Sequence, residues 1–95
     1  MRRTEEPLAK LDAPLIALLQ EKELDPKGAV PVIVRCSAET IPQVGSAVVQ
    51  SGGRVRHNLR MLGAVAAWLP LGSVLDLARQ EVVRSMELEQ EFAVA

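Results

Sequence analysis

Residues 52–70, GGRVRHNLRMLGAVAAWLP, decide the fold of this chain. Two glycines open the stretch, and apolar and polar residues then alternate from Arg54 to Leu59. A short turn closes at Gly63, and a second apolar run follows until Pro70 stops it. Alternation with a period of two predicts a strand, and glycine and proline mark where strands end. The stretch therefore predicts a β-hairpin.

The segments on either side of this hairpin supply the remaining elements. Upstream, the apolar run at residues 30–36 predicts a strand. The amphipathic segment at 41–51 predicts a helix with Ile41, Val44, Val48 and Val49 facing inward. Downstream, residues 71–78 predict a second helix, and a last strand covers 82–89, with a bulge to reconcile its ambiguous period. The order β-α-β-β-α-β predicts an α+β, ferredoxin-like antiparallel sheet with two helices on one face.

Residues 1–29 form an N-terminal helical extension, 30–89 the ferredoxin-like domain, and 90–95 a C-terminal extended tail. Asp12-Ala13-Pro14 allows a helix cap with an early proline, which would make the residues before it a separate turn. The extension has leucines at helical spacing, namely Leu8, Leu11, Leu15, Leu18 and Leu19. Such a stripe indicates either packing on the main domain or a docking helix for a partner.

Composition excludes several classes of protein. The 95 residues have a net charge of −1, so the overall charge gives no reason to expect a polyanionic partner. The only aromatic residues, Trp68 and Phe92, do not supply the stacking surfaces of single-stranded nucleic-acid binders. No run reaches the length of a transmembrane helix, and no signal-peptide core follows the first arginines. A complete chain is therefore expected to be cytoplasmic, a monomer when free, and to bind neither membrane nor nucleic acid.

Catalytic and metal-binding residues are scarce. Cys36 and His57 are the only cysteine and histidine, which predicts no metal, no cofactor and no intramolecular disulfide. No nucleophile elbow occurs, so the chain is not expected to be an enzyme. Alternation places His57 on the helix-covered face of the sheet, and Cys36 is expected to be a small buried side chain.

The third strand carries the candidate contact residues. Its alternation separates Val65, Ala67 and Leu69 from a second set, which is Ala64, Ala66 and Trp68. If the first set faces the helices, the second lies on the open face of the sheet. A tryptophan there is the kind of anchor that protein interfaces use, although it could equally pack under the N-terminal helix.

The amino-acid sequence of these elements resembles the propeptide domain of subtilisin-like serine proteases and the free-standing inhibitors related to it. The resemblance covers residues 30–95. It rests on Gly52-Gly53 before the second strand, on the small-residue strand 63–67 ending in Leu69-Pro70, and on Val82-Val83 followed by an acidic residue. None of these residues carries chemistry. A propeptide in a secreted precursor would follow a signal peptide, so its lack here favours either a free-standing inhibitor or an excised propeptide of a secreted protease.

The resemblance implies a partner, a mechanism and a set of contact residues. The partner is a subtilisin-type serine protease, which the chain would inhibit and for which it would also act as a folding chaperone. Members of the family place the open sheet face on two helices of the protease, which implies contacts from Ala64, Ala66 and Trp68. They also insert the C-terminal tail into the active-site cleft as a poorly cleaved product, a role that falls here on Phe92, Ala93, Val94 and Ala95.

A second hypothesis treats the chain as a regulatory or oligomerisation module with the same topology. Such a module would dimerise edge to edge and bind a small ligand such as an amino acid. The ligand would lie near the loop at residues 37–40 and the Gly52-Gly53 pair.

Overall fold

A computed structural model of the chain describes residues 7–21 and 23–89. In these ranges the helices are α1 (Ala13–Leu19), α2 (Ile41–Gln50) and α3 (Val74–Ala78), and the strands are β1 (Ala29–Arg35), β2 (Arg54–Leu59), β3 (Ala64–Pro70) and β4 (Ser85–Leu88). Short 3-10 helices cover Pro7–Lys10, Ala38–Thr40, Arg60–Leu62 and Leu71–Ser73.

The four strands form one antiparallel sheet in the order β2-β3-β1-β4. This arrangement, with α2 and α3 as the crossovers, confirms the predicted ferredoxin-like α+β fold. One face of the sheet packs against the helices. Its core side chains alternate along the central strands, as Val30, Val32 and Val34 on β1 and Val65, Ala67 and Leu69 on β3. Burial of this one face holds the sheet and the helices together.

Helix α2 meets the sheet through Ile41, Val44 and Val48, as predicted. The prediction that Val49 also faces inward is wrong, because 62% of its surface is exposed. Helix α2 buries a single stripe of side chains, and Val49 lies one residue beyond it.

The N-terminal extension packs on the sheet domain. Asp12 accepts a hydrogen bond from the Leu15 backbone N–H at 3.1 Å and begins α1, so the residues before it do form a separate turn. Leu11 and Leu15 join the common core. The Asp12 N–H also donates to the Met86 carbonyl of β4, and the Asp12 carboxylate accepts from Leu88 N–H at 3.3 Å. The extension therefore covers the outer edge of β4.

Asp12 stabilises both a helix and a strand edge, so we expect Asp12→Ala to lower the free energy of unfolding by about 1–2 kcal/mol. Asp12→Asn keeps an oxygen that can accept both hydrogen bonds and should retain most of this stability. Urea unfolding followed by circular dichroism measures the difference. Equal losses in the two variants would show that hydrogen-bond acceptance by residue 12 is not the source of the stability.

A β-bulge in β2 changes the face on which its later residues lie. Val55 pairs with Ala67 and His57 pairs with Ala66, so Arg56 is the extra residue between two consecutive partners. His57 therefore lies on the open face and is exposed. The prediction that His57 faces the helices is wrong, because the bulge reverses the alternation beyond Val55.

The last strand begins later than predicted. Val83 lies in a turn before β4, where its N–H donates to the Gln80 carbonyl at 3.1 Å, and its side chain is buried. Met86 and Leu88 then alternate regularly into the core. The expected bulge in this strand is not needed, because the ambiguous residues are outside the strand.

Gly52 and Gly53 end α2 and lead into β2 for two different reasons. Gly52 has φ +88°, the left-handed conformation predicted for a glycine after a helix. Gly53 is required by space, since a Cβ atom there would lie 2.4 Å from the Trp68 carbonyl oxygen. The pair thus brings the helix end against β3.

Candidate interaction surface

The open face is the side of the sheet opposite the helices, and its members follow from the strand register. Side chains of paired residues lie on the same face of a sheet, so the face can be read from the partners of Trp68 and Ala66. It carries Pro31, Ile33 and Arg35 from β1, Arg54, His57 and Leu59 from β2, Ala64, Ala66 and Trp68 from β3, and Ser85 and Glu87 from β4. Among the described elements, both helices of the crossovers lie on the other side.

The three predicted contact residues are all on this face but differ in accessibility. Ala64 is 0% exposed and Ala66 is 4% exposed, because their short side chains lie below those of their neighbours. Trp68 is half-buried. A flat partner would therefore meet Trp68 and the side chains around the alanines, while Ala64 and Ala66 form the floor.

Trp68 does not pack under the N-terminal helix. Helix α1 contributes Leu15 to the core on the other face, whereas Trp68 pairs with Pro31 and Arg54 on the open face. Of the two alternatives, the structure supports the open-face position.

The guanidinium group of Arg56 covers Trp68. Its Cζ atom lies 5.7 Å from the centroid of the indole ring, within the range of a cation–π contact. The same guanidinium forms an ion pair with Glu89, which follows β4. Arg56 starts from the edge strand β2, so it reaches across the sheet to the far side. We define Arg56, Trp68 and Glu89 as the cross-sheet bridge.

A second ion pair lies at the other end of the open face. Arg35 Nε donates to Glu87 at 2.8 Å, from β1 to the adjacent β4. The hydrogen bond to Glu87, and then the attraction of its charge, raises the pKa of Arg35 above its ordinary value. These side chains are 42% and 38% exposed, against 29% and 26% for Arg56 and Glu89, so water screens the Arg35 pair more strongly.

Pro31 is tolerated inside the central strand because its backbone nitrogen, which has no hydrogen to donate, points away from β3. Its carbonyl oxygen accepts from the Glu89 N–H at 3.0 Å, and the nitrogen of the same residue points the same way, toward the end of β4. The pairing of β1 with β3 loses no hydrogen bond there. Glu89 is thereby attached to the sheet through both its backbone and its side chain.

The two stretches proposed for a small ligand do not form one site. The loop at residues 37–40 precedes α2 and Gly52-Gly53 follows it, about 15 Å away at the rise of an α-helix. The hydroxyls of Ser37 and Thr40 already hydrogen-bond to each other and to the loop backbone. A pocket beside the glycine pair is lined by Ala29, Gly52, Gly53, Arg54, Trp68 and Pro70, but no residue of the loop at 37–40 contributes to it.

Edge-to-edge dimerisation through β2 is also disfavoured. This edge strand carries Arg54 and Arg56 and is followed by Arg60, so a second copy would bring like charges together. The groove beside it, between α2 and β2, is lined by Ile41, Pro42, Gly45, Ser46, Val49, Gln50, Val55, Asn58 and Arg60. Arg60 is the only charged residue in that lining.

The described residues contain one buried cysteine and form neither a metal site nor a membrane-spanning helix. Cys36 is buried, as predicted, and within residues 7–21 and 23–89 no group of three or more potential ligands could hold a metal ion. No helix in the same ranges is both long and apolar enough to cross a membrane.

Residues 92–95, predicted to bind a protease cleft, lie outside the described residues. The contribution of Arg56 and Glu89 was not predicted from the sequence. Their charges are visible in the sequence, but the two residues are 33 positions apart and meet only because the strand order brings the ends of β2 and β4 to the same face.

The chain matches no model of a known protein family, and no curated protein sequence matches it either.

Proposed function

We propose that this chain is a propeptide-like inhibitor of a subtilisin-type serine protease, and that it also assists the folding of its target. In this mechanism the open face docks on the surface of the protease. The C-terminal tail, residues 92–95, enters the active-site cleft as a product that is cleaved poorly. The proposal combines the resemblance in the sequence with the arrangement of the described sheet.

The observation that carries the proposal is a sheet face that none of the described helices covers, while the opposite face forms the core. Every helix of the ferredoxin-like domain lies on the core side, and this leaves Trp68 half-buried among polar neighbours on the other. Antiparallel sheets tolerate such a face in water, but a tryptophan with charged residues around it is typical of interface centres.

The position of Glu89 also supports the mechanism. The chain leaves the sheet at this residue, on the open-face side, because it continues the alternation of Ser85 and Glu87. A partner that covers the open face would thus be close to the point where residues 90–95 begin. Docking and tail binding are therefore compatible in one complex.

The direct test is inhibition of subtilisin, measured by hydrolysis of a chromogenic peptide with increasing amounts of the chain. A trypsin-type serine protease, which has an unrelated surface, is the matched control. Inhibition of subtilisin alone supports the proposal. A chain that inhibits neither enzyme, or both equally, contradicts it.

Ala66→Arg tests the open face within the same assay. Ala66 lies at the centre of that face, between its strand partners Ile33 and His57, so a long charged side chain there should keep a flat partner at a distance. We expect inhibition to weaken at least tenfold, on the order of 1.4 kcal/mol, while the thermal unfolding midpoint stays close to that of the parent chain. Val49→Arg, on the exposed side of α2, is the control and should inhibit normally. Equal inhibition by both variants would place the contact elsewhere.

A further inference from the structure

Three contacts meet at the point where the chain leaves the sheet. The Glu89 carboxylate is paired with Arg56, and the Glu89 backbone N–H donates to the Pro31 carbonyl. The Arg56 guanidinium also lies over the Trp68 ring, 5.7 Å from its centroid. Glu89 is the residue directly before the segment 90–95. The cross-sheet bridge therefore attaches the base of the tail to the open face at two points.

The bulge in β2 leaves two consecutive side chains on the open face. In a regular strand Arg56 would lie on the same face as residue 54 and opposite to 55 and 57. The extra residue opposite β3 leaves both Arg56 and His57 directed to the open face. Arg56 would share the open face with Arg54 in a regular strand as well, and the residue that the bulge redirects is His57. The Arg56 side chain spans from the edge strand β2 to Glu89, which follows β4 at the other edge.

We propose that Arg56 and Trp68 are positioning residues for the inhibitory tail, acting through Glu89. This inference rests on the proposed function and adds to it a mechanism for presenting the tail. A tail whose base is held in one place relative to the docking face has a higher effective concentration at the cleft. It also loses less conformational freedom when it binds.

The Arg35–Glu87 ion pair is the internal control for this idea. It lies on the same open face and has the same chemistry, but it connects neighbouring strands and does not involve the residue before the tail. If the ion pairs served only to present charge to a docking partner, loss of either pair would weaken inhibition in the same way. If the cross-sheet bridge positions the tail, only its loss affects inhibition through residues 92–95.

The test is a double-mutant cycle of Arg56→Gln and Glu89→Gln, read as inhibition of subtilisin. We expect each single variant to weaken inhibition about fivefold, and the double variant to be no weaker than about fivefold, because the two changes break the same contact. Independent protease contacts would multiply to about twenty-five-fold. The cycle is repeated with residues 92–95 replaced by Gly-Ser-Gly-Ser, where the Arg56–Glu89 effect should fall below twofold. Arg35→Gln should have the same effect on either tail.

Hydrogen exchange of the Glu89 amide gives a readout that needs no protease. Its hydrogen bond to Pro31 should open more often when the bridge is broken, so we expect Arg56→Gln to accelerate exchange of this amide at least fivefold. Arg35→Gln should leave it unchanged. The amides of β1 and β3 serve as a control for global stability and should exchange at the parental rate in both variants.

The outcomes separate this inference from the proposed function. Unchanged exchange of the Glu89 amide in Arg56→Gln overturns the positioning role, whatever the inhibition assay gives. Faster exchange with undiminished inhibition also overturns it. A parent chain that does not inhibit subtilisin, while the exchange result holds, overturns the proposed function and leaves the anchoring of Glu89 established.

Discussion

Removal of residues 92–95 is expected to weaken inhibition of subtilisin by about a hundredfold, or about 3 kcal/mol of binding free energy. The segment Phe92-Ala93-Val94-Ala95 contains no proline, glycine or charged side chain, so it can extend and pair as an added strand. By the family resemblance, Phe92 would fill the distal pocket and Ala95 would lie next to the catalytic serine. Phe92 is the only phenylalanine of the chain.

The fold should survive this deletion, because the described core ends at Leu88. Thermal unfolding of the shortened chain should therefore match that of the parent. Replacing the same four residues by Gly-Ser-Gly-Ser keeps the length and removes the apolar side chains, and it should weaken inhibition to a similar extent. Inhibition that is unchanged by either variant would rule out binding in the cleft.

Trp68→Ala is expected to weaken the same interaction by about 2 kcal/mol or more, close to thirtyfold. The substitution removes the largest side chain of the open face and the ring on which Arg56 stacks. Trp68 is half-buried and outside the core cluster, so the free energy of unfolding should change by less than about 1 kcal/mol.

The neighbouring residue provides the matched control. Leu69 is 0% exposed and points to the helices, so Leu69→Ala should lower the free energy of unfolding by about 2–5 kcal/mol. The part of that variant that remains folded should inhibit normally. Urea unfolding and inhibition are measured on both. A Trp68→Ala chain that loses stability but still inhibits would show that the tryptophan is structural.

Local patterns were sufficient to predict most of the architecture. The period-two alternation at residues 64–70 separated the side chains of β3 that face the helices from those on the open face, and Asp12 with Pro14 predicted where α1 begins. Strand alternation and helix capping both depend on residues that are close together in the chain. Each segment has to meet these requirements whatever the rest of the fold is, so the sequence shows them directly.

Sequence alone was enough for the β-α-β-β-α-β order, for the two faces of β3, for the faces of β2 as far as Val55, and for placing Trp68 among the candidates for the open face. Only the tertiary structure decided that His57 faces away from the helices and that Arg56 reaches Glu89. A bulge is a mismatch between two strands, two residues opposite one, so the pattern of a single strand does not record it. The ion pair likewise depends on which strands are neighbours and on how far a side chain can reach across them, and both are set when the sheet assembles.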